Sequence, residues 1–231
     1  MVIVIMVGVV CFDLDDTLYK EIDYLKSAFQ EVACYAAECC GKTSDPVSIL
    51  AVKAYKEMLD AYLSGGNAFQ RLNEFLGLNV PIADYLTIYR EHKPSISLDE
   101  DAVKTLNWLK DNDFIIGLIT DGRVNSQTAK IEALGLYHWI KPEDVVISES
   151  FGSTKPAERN YRYFVDKYGK GSYCYIGDNT EKDFIAPNAL GWKTICLKQD
   201  SDNVHRQNFS VEKEKMPHHV VSTLFESLER L

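Results

Sequence analysis

The chain has 231 residues, 46% of them apolar, which is enough to bury one substantial core with a second, smaller domain beside it. Its formal charge of −9, from 25 basic and 34 acidic residues, lacks the basic stripe that binding a phosphate backbone requires, so nucleic acid is not an expected partner. One small phosphorylated molecule, held by a metal ion and a lysine, stays compatible with that balance.

Residues 1–10 are apolar but have no basic leading segment and no small-residue cleavage site, so they do not read as a signal peptide. They are too short to span a bilayer, and no membrane association is expected. Met6 would start the following strand naturally, which makes residues 1–5 an extension with no role of their own. The β-branched run that follows leads into Phe12-Asp13-Leu14-Asp15-Asp16-Thr17-Leu18. Two carboxylates, Asp13 and Asp15, thus project two residues apart from a strand end, where α/β folds place their chemistry. A strand buried on both faces cannot hold unpaired aspartates, so the pair needs a cation, a proton or a reacting group.

Between this strand and the next lie about a hundred residues, far more than one crossover needs. Ile22, Leu25, Phe29, Val32 and Ala36 step by three and four, and so do Val52, Tyr55, Leu59 and Tyr62 behind Asp45-Pro46, which reads as an N-cap followed by proline at the first helical position. Further helices are expected around Leu72 and Tyr85. Residues 19–93 therefore read as an inserted helical module, placed as a lid over the strand ends, with 1–18 and 94–231 as the core. Tyr55, Tyr62, Tyr85 and Tyr89 lie on the apolar helix faces and read as packing residues rather than ligand contacts.

The core continues with strand-like runs at 114–120, 145–148, 173–177, 194–197 and 219–221, separated by helical patterns around Leu106, Ile131 and Phe164. Glycines at 135 and 169 stop the last two. The alternation predicts right-handed crossovers and a Rossmann-like parallel sheet with helices on both faces, carrying the all-helical insertion. Residues 198–217 read as a polar surface loop, and His92 and His138 as ordinary surface or loop residues. Of the six cysteines, Cys11, Cys174 and Cys196 lie in apolar runs, and no C-x-x-C pair occurs. Free thiols and a reducing cytoplasm are expected.

Four strand ends carry reactive residue types. Asp13 and Asp15 follow the first strand. Thr120-Asp121-Gly122 follows the second and offers a hydroxyl and backbone N–H groups at a strand-to-helix turn, an anion cradle. Lys155 stands alone in a loop before Pro156. Gly177-Asp178 to Asp183 adds two more carboxylates. Asp16 reads as structural, since alternate positions face the site, and Asp121 as capping its turn. Asp183 reads as a first-turn residue answering an N-cap at Thr180, with contact to a metal shell still compatible. In a parallel sheet these ends converge, giving carboxylates for a hard cation and a hydroxyl, donors and an ammonium for an anion. Oxygen ligands suit Mg²⁺ rather than zinc, and the set suits phosphoryl transfer.

The order D-x-D-x-T, strand-end threonine, lysine, then G-D-x-x-x-x-D resembles the haloacid dehalogenase superfamily, in its branch with a helical cap between the first and second motifs. The resemblance covers nearly the whole chain. It implies that Asp13 is the nucleophile forming an aspartyl-phosphate and that Asp15 is general acid and then base. It further implies that Thr120 with neighbouring N–H groups (Asp121, Gly122) binds the phosphoryl oxygens and that Lys155 neutralises charge. Mg²⁺ would be held by Asp13, the Asp15 carbonyl and Asp178, with Asp183 in support. The implied activity is a cytoplasmic phosphatase of a small soluble phosphomonoester, a sugar phosphate or nucleotide, working as monomer or homodimer. A phosphomutase on the same core, a dehalogenase, and a non-catalytic protein binding a phosphorylated ligand are the alternatives. Arg123 and Lys20 are further candidate substrate contacts.

Overall fold

The computed structural model describes residues 7–41, 45–198, 203 and 206–231, so the expectation for residues 1–5 lies outside the described residues. Among these, β1 (Val7–Phe12), β2 (Ile115–Thr120), β3 (Val145–Ile147), β4 (Gly171–Gly177), β5 (Lys193–Leu197) and β6 (His219–Val221) form one sheet in the order β3-β2-β1-β4-β5-β6. Every pairing is parallel. Val9, Val10, Ile116, Leu118, Ile119, Val146 and Ile176 of β1 to β4 and Ile195 of β5 are buried on both faces, as a sheet covered by helices requires.

The helices are α1 (Glu21–Cys39), α2 (Val47–Leu63), α3 (Ala68–Leu76), α4 (Ile82–Glu91), α5 (Glu100–Asp111), α6 (Val124–Ala133), α7 (Ser148–Phe151), α8 (Glu158–Tyr168) and α9 (Ile185–Ala189). The chain divides into two compact units, Ile22–Ile96 on one hand and the residues up to Glu21 with Ser97–Leu231 on the other. No described helix is long and apolar enough to cross a membrane.

In the sheet-bearing unit, Val9, Cys11, Ile119 and Tyr175 pack with Tyr161 and Phe164 of α8, Ala186 of α9 and Trp192. The strand pleat sends Val10 and Phe12 to the opposite face, and α5 packs on β2. Phe12 pairs with Leu118 on one side and Ile176 on the other, so β1 and β4 end nearly level while β2 runs on to Thr120. Asp13 N–H then donates to the Ile176 carbonyl at 2.9 Å and carries the ladder one residue further. The first crossovers run outward from β1 through β2 to β3. The chain then returns to β4 on the other side of β1, a reversal that opens a crevice at these strand ends.

In the helical unit, Phe29 and Val32 of α1, Ala54 and Met58 of α2, Leu72 of α3 and Tyr85 of α4 form one core, with Tyr55, Tyr62 and Tyr89 packed against it. The Tyr85 hydroxyl donates to Asn73 Oδ1 at 2.9 Å. Asn67 caps α3 through its side-chain oxygen. At α2 the structure departs from the expected capping. The helix begins at Val47, Pro46 itself occupies the cap position without a side-chain bond, and Asp45 instead pairs with Lys53 at 2.6 Å. His92 is buried rather than superficial, because it closes α4 with Nδ1 on the Tyr89 carbonyl and its ring against Tyr24. His138 is exposed, as expected.

All six cysteines are free, with Cys11, Cys174 and Cys196 buried. α9 has five residues with Pro187 inside it, and its late start leaves Thr180 outside the helix, where its hydroxyl accepts from Asn208 N–H instead of capping. We expect Phe164→Ala to cost about 3–5 kcal/mol, the range for emptying a buried aromatic site. Equilibrium unfolding in denaturant measures it, and a loss below about 1 kcal/mol would contradict the central place given to this side chain.

Candidate active site

β1 ends at Phe12 and the chain turns at once, Leu14 C=O accepting from the N–H groups of Thr17 and Leu18. This tight turn aims Asp13 and Asp15 back over the sheet edge, while Asp16, at φ 56°, turns away and accepts from Glu21 N–H at the start of α1. Asp16 is thus a structural residue, and Asp13 is nine-tenths buried.

Lys155, with its side chain fully buried, binds Asp13 Oδ1 and Asp183 Oδ1, each at 2.8 Å, and donates to the Tyr175 hydroxyl at 3.2 Å. Burial works against its charge, but Asp13 and Asp183 outweigh that and hold its pKa well above the ordinary lysine value. Asp13 Oδ1 also accepts from Leu14 N–H at 2.8 Å. Asp183 is locked from its other oxygen by Asn179 N–H at 2.9 Å, so it does not serve as a first-turn helical residue. A Cβ at Gly177 would collide with this carboxylate, which explains a glycine before Asp178.

Asp13, Asp178 and Asp183 bring one carboxylate oxygen each to within 4.8 Å of one another. Three carboxylates thus share one ammonium, and Asp178 Oδ2 is buried with no hydrogen-bond partner. Burial first, then the charges of Asp13 and Asp183, push the Asp178 pKa up to about 9. Burial raises Asp13 to about 7 against the pull of Lys155. A hard divalent cation would supply the missing positive charge and a partner for that oxygen, so the residues present fit one. The Asp15 carboxylate stands outside this group.

Asp15 is instead gripped by other side chains. Its Oδ1 accepts from the Tyr19 hydroxyl at 2.5 Å and pairs with Lys130 Nζ at 2.7 Å; its Oδ2 accepts from Gln127 Nε2 at 3.0 Å. Burial alone would raise its pKa, yet the Lys130 charge and the bonds from Gln127, Lys130 and Tyr19 bring it below the usual value. Gln127 Nε2 also reaches Thr120 Oγ1 at 2.6 Å and the Asp121 carbonyl at 3.0 Å. Gly122, at φ 151°, leaves the Gln127 side chain 3.0 Å from where a Cβ would stand.

The turn after β2 differs from an open anion cradle. Gly122 N–H is taken by Ser148 Oγ at 2.9 Å and Val124 N–H by Glu149 at 2.7 Å. Asp121 ties two loops together, accepting from Lys155 N–H at 3.0 Å and pairing with Lys182 at 3.1 Å. Gln207, within the segment read as a surface loop, donates to the Asp178 carbonyl at 2.8 Å. Arg123 is exposed, and Lys20 donates to Asn203 at 2.7 Å.

Tyr19, Gln127, Lys130, Tyr175, Lys182 and Gln207 are contacts the sequence reading missed. Gln127 and Lys130 carried a faint signal, being three residues apart on the helix that directly follows Thr120.

The model of the haloacid dehalogenase-like hydrolase family matches residues 7–191, and the chain belongs to that family. A glyceraldehyde 3-phosphate phosphatase of Methanocaldococcus jannaschii is 29% identical over 83% of this chain and 85% of its own. A second protein of that name, from Methanopyrus kandleri, is 25% identical over 84% and 85%. Among solved structures, the HAD-hydrolase YfnB of Bacillus subtilis, bound to magnesium, superposes with a TM-score of 0.65 at 19% identity, covering 98% of this chain and 99% of its own. At that identity it shows the shared fold.

The raised pKa values of Asp13 and Asp178 give a signed pH dependence. In the metal-free protein these carboxyls favour the fold while protonated, and that contribution fades as pH rises through about 7 and about 9. A cation binds the ionised forms and releases the protons. The rise in Tm on adding MgCl₂ should therefore be larger at pH 9 than at pH 6; an equal rise at both would contradict the charge excess described. Gly177→Ala should abolish most of that Mg²⁺-induced rise by displacing Asp183, while keeping the circular dichroism of the native fold.

Proposed function

We propose that the protein is a Mg²⁺-dependent phosphatase acting on a small sugar phosphate, a triose phosphate above all, through an aspartyl-phosphate on Asp13. The observation that carries this reading is the buried Asp13–Lys155–Asp183 array beside the orphaned Asp178 oxygen, with Thr120 at the neighbouring strand end. The names of the relatives support the substrate class. The inserted helical unit has the chain position of the expected cap and is proposed to set substrate choice.

Asp13 Oδ1 is fixed by Leu14 N–H and Lys155, which turns Oδ2 toward the substrate as the attacking oxygen. Attack on phosphorus forms the Asp13–phosphorus bond as the bond to the leaving oxygen breaks, and Asp15 gives that oxygen its proton. Water then attacks the phosphorus, Asp15 takes the water's proton, and phosphate leaves with Asp13 restored, so Asp15 neither gains nor loses a proton over the cycle. In the free site Lys130 favours ionised Asp15. A phosphoryl dianion beside it adds negative charge and favours the protonated form needed for the first step. Lys155 and the Thr120 hydroxyl face the phosphoryl oxygens and offset their charge. Mg²⁺, held by Asp13, Asp178 and Asp183 with the Asp15 carbonyl, would neutralise the carboxylates and the phosphoryl group together.

Phosphate release from glyceraldehyde 3-phosphate, other sugar phosphates, nucleoside monophosphates and p-nitrophenyl phosphate tests the reading. Release should need MgCl₂, vanish with EDTA, favour the triose phosphate, and fall at least about a thousandfold in Asp13→Asn, where the nucleophile is lost. Undiminished turnover in that variant would overturn the role of Asp13. Isomerisation without phosphate release would make the enzyme a mutase.

A further inference from the structure

We propose that Gln127 and Lys130 are positioning residues that hold Asp15 for proton transfer, and that Gln127 also orients the Thr120 hydroxyl. α6 directly follows the Thr120 turn, and its third-apart pair Gln127 and Lys130 projects to the same side, both nearly fully buried. Buried polar side chains of this kind on a core helix need partners, and both find theirs on Asp15, more than a hundred residues earlier in the chain.

The division of labour is geometric. Lys130 Nζ sits 2.7 Å from Oδ1 and Gln127 Nε2 3.0 Å from Oδ2, so the two residues seize opposite oxygens and fix the carboxylate plane. Tyr19, joining on Oδ1 at 2.5 Å, prevents rotation about the side-chain bonds. A proton-transfer group is effective only when held on its line of transfer, and a carboxylate gripped from both sides loses little orientational freedom as it reacts.

Gln127 has a second task. Its amide nitrogen lies 2.6 Å from Thr120 Oγ1, and an amide nitrogen can only donate. The threonine oxygen therefore accepts here, which leaves its own hydrogen to donate elsewhere, toward the phosphoryl group. One amide thus couples the end of β1 to the end of β2. The Asp121 carbonyl at 3.0 Å makes three acceptors for two amide hydrogens, so the side chain is held from several directions at once.

The proposal rests on Asp15 acting as acid and base in the phosphatase reading, and the experiment separates the two. Gln127→Met, Lys130→Met and Asp15→Asn are compared on glycerol phosphate, whose leaving group needs a proton, and on p-nitrophenyl phosphate, whose leaving group does not. Both Met variants should lower kcat/KM, which reports the leaving-group step, on glycerol phosphate by about ten- to a hundredfold more than on p-nitrophenyl phosphate, within the range a general acid contributes. In the Asp15→Asn background, Lys130→Met should add little. Gln127→Met should also show a uniform loss on both substrates, reflecting Thr120.

Equal losses on both substrates in the Met variants, with Asp15→Asn still discriminating, would overturn the positioning proposal and leave the role of Asp15 standing. Failure of Asp15→Asn itself to discriminate would overturn both. Lys130→Arg and Gln127→Asn, which keep a donor but change its reach, carry the same comparison if a Met variant does not fold; Arg should preserve more of the discrimination than Met.

Discussion

Everything at the sheet edge depends on a shortage of positive charge. Asp13, Asp178 and Asp183 are driven together by the level ends of β1 and β4, and Lys155 alone among the described residues enters that group to answer them. A buried ammonium that pairs with two of the carboxylates leaves the third without a cationic partner. The site is therefore built around a deficit that a divalent cation would fill and that an anionic substrate would deepen, so the charge of such a cation would serve the carboxylates and the phosphoryl group together.

Around this deficit lies a second arrangement with the opposite character. Asp15 is amply supplied with donors from Tyr19, Gln127 and Lys130, and Asp121 links the Lys155 loop to Lys182. The two neighbouring aspartates of one short motif are thus placed in contrasting surroundings. Burial and like charge raise the proton affinity of Asp13, whereas a lysine and two further donors lower that of Asp15. In the metal-free site these tendencies run opposite to those of an ionised nucleophile and a protonated acid; a cation beside Asp13 and an anionic phosphoryl group beside Asp15 would reverse both.

Much of this was legible in the sequence because its causes are local or topological. A β-branched run followed by aspartates reads as a strand end, and parallel strands must present their ends on one edge, so Asp13, Asp178 and Lys155 could be grouped without coordinates. Contacts made across the fold were not legible in this way. Gln127 and Lys130 look like ordinary polar residues of a surface helix, and only burial shows that α6 turns them inward. The same holds for Gln207, which reaches back to the Asp178 carbonyl from a polar segment. Local capping signals misled where a competing partner won: Lys53 took Asp45, and Asn208 took the hydroxyl of Thr180.

The pairing of β1 with β4 has a consequence for how the chain folds. These strands are neighbours in the sheet but lie some 160 residues apart, so their contact closes a long loop and belongs among the slow events of folding. Closing it is also what gathers the three carboxylates, so their mutual repulsion opposes that very step. A cation captured as the strands meet would then act as a folding ligand, completing the sheet and arming the site in one event.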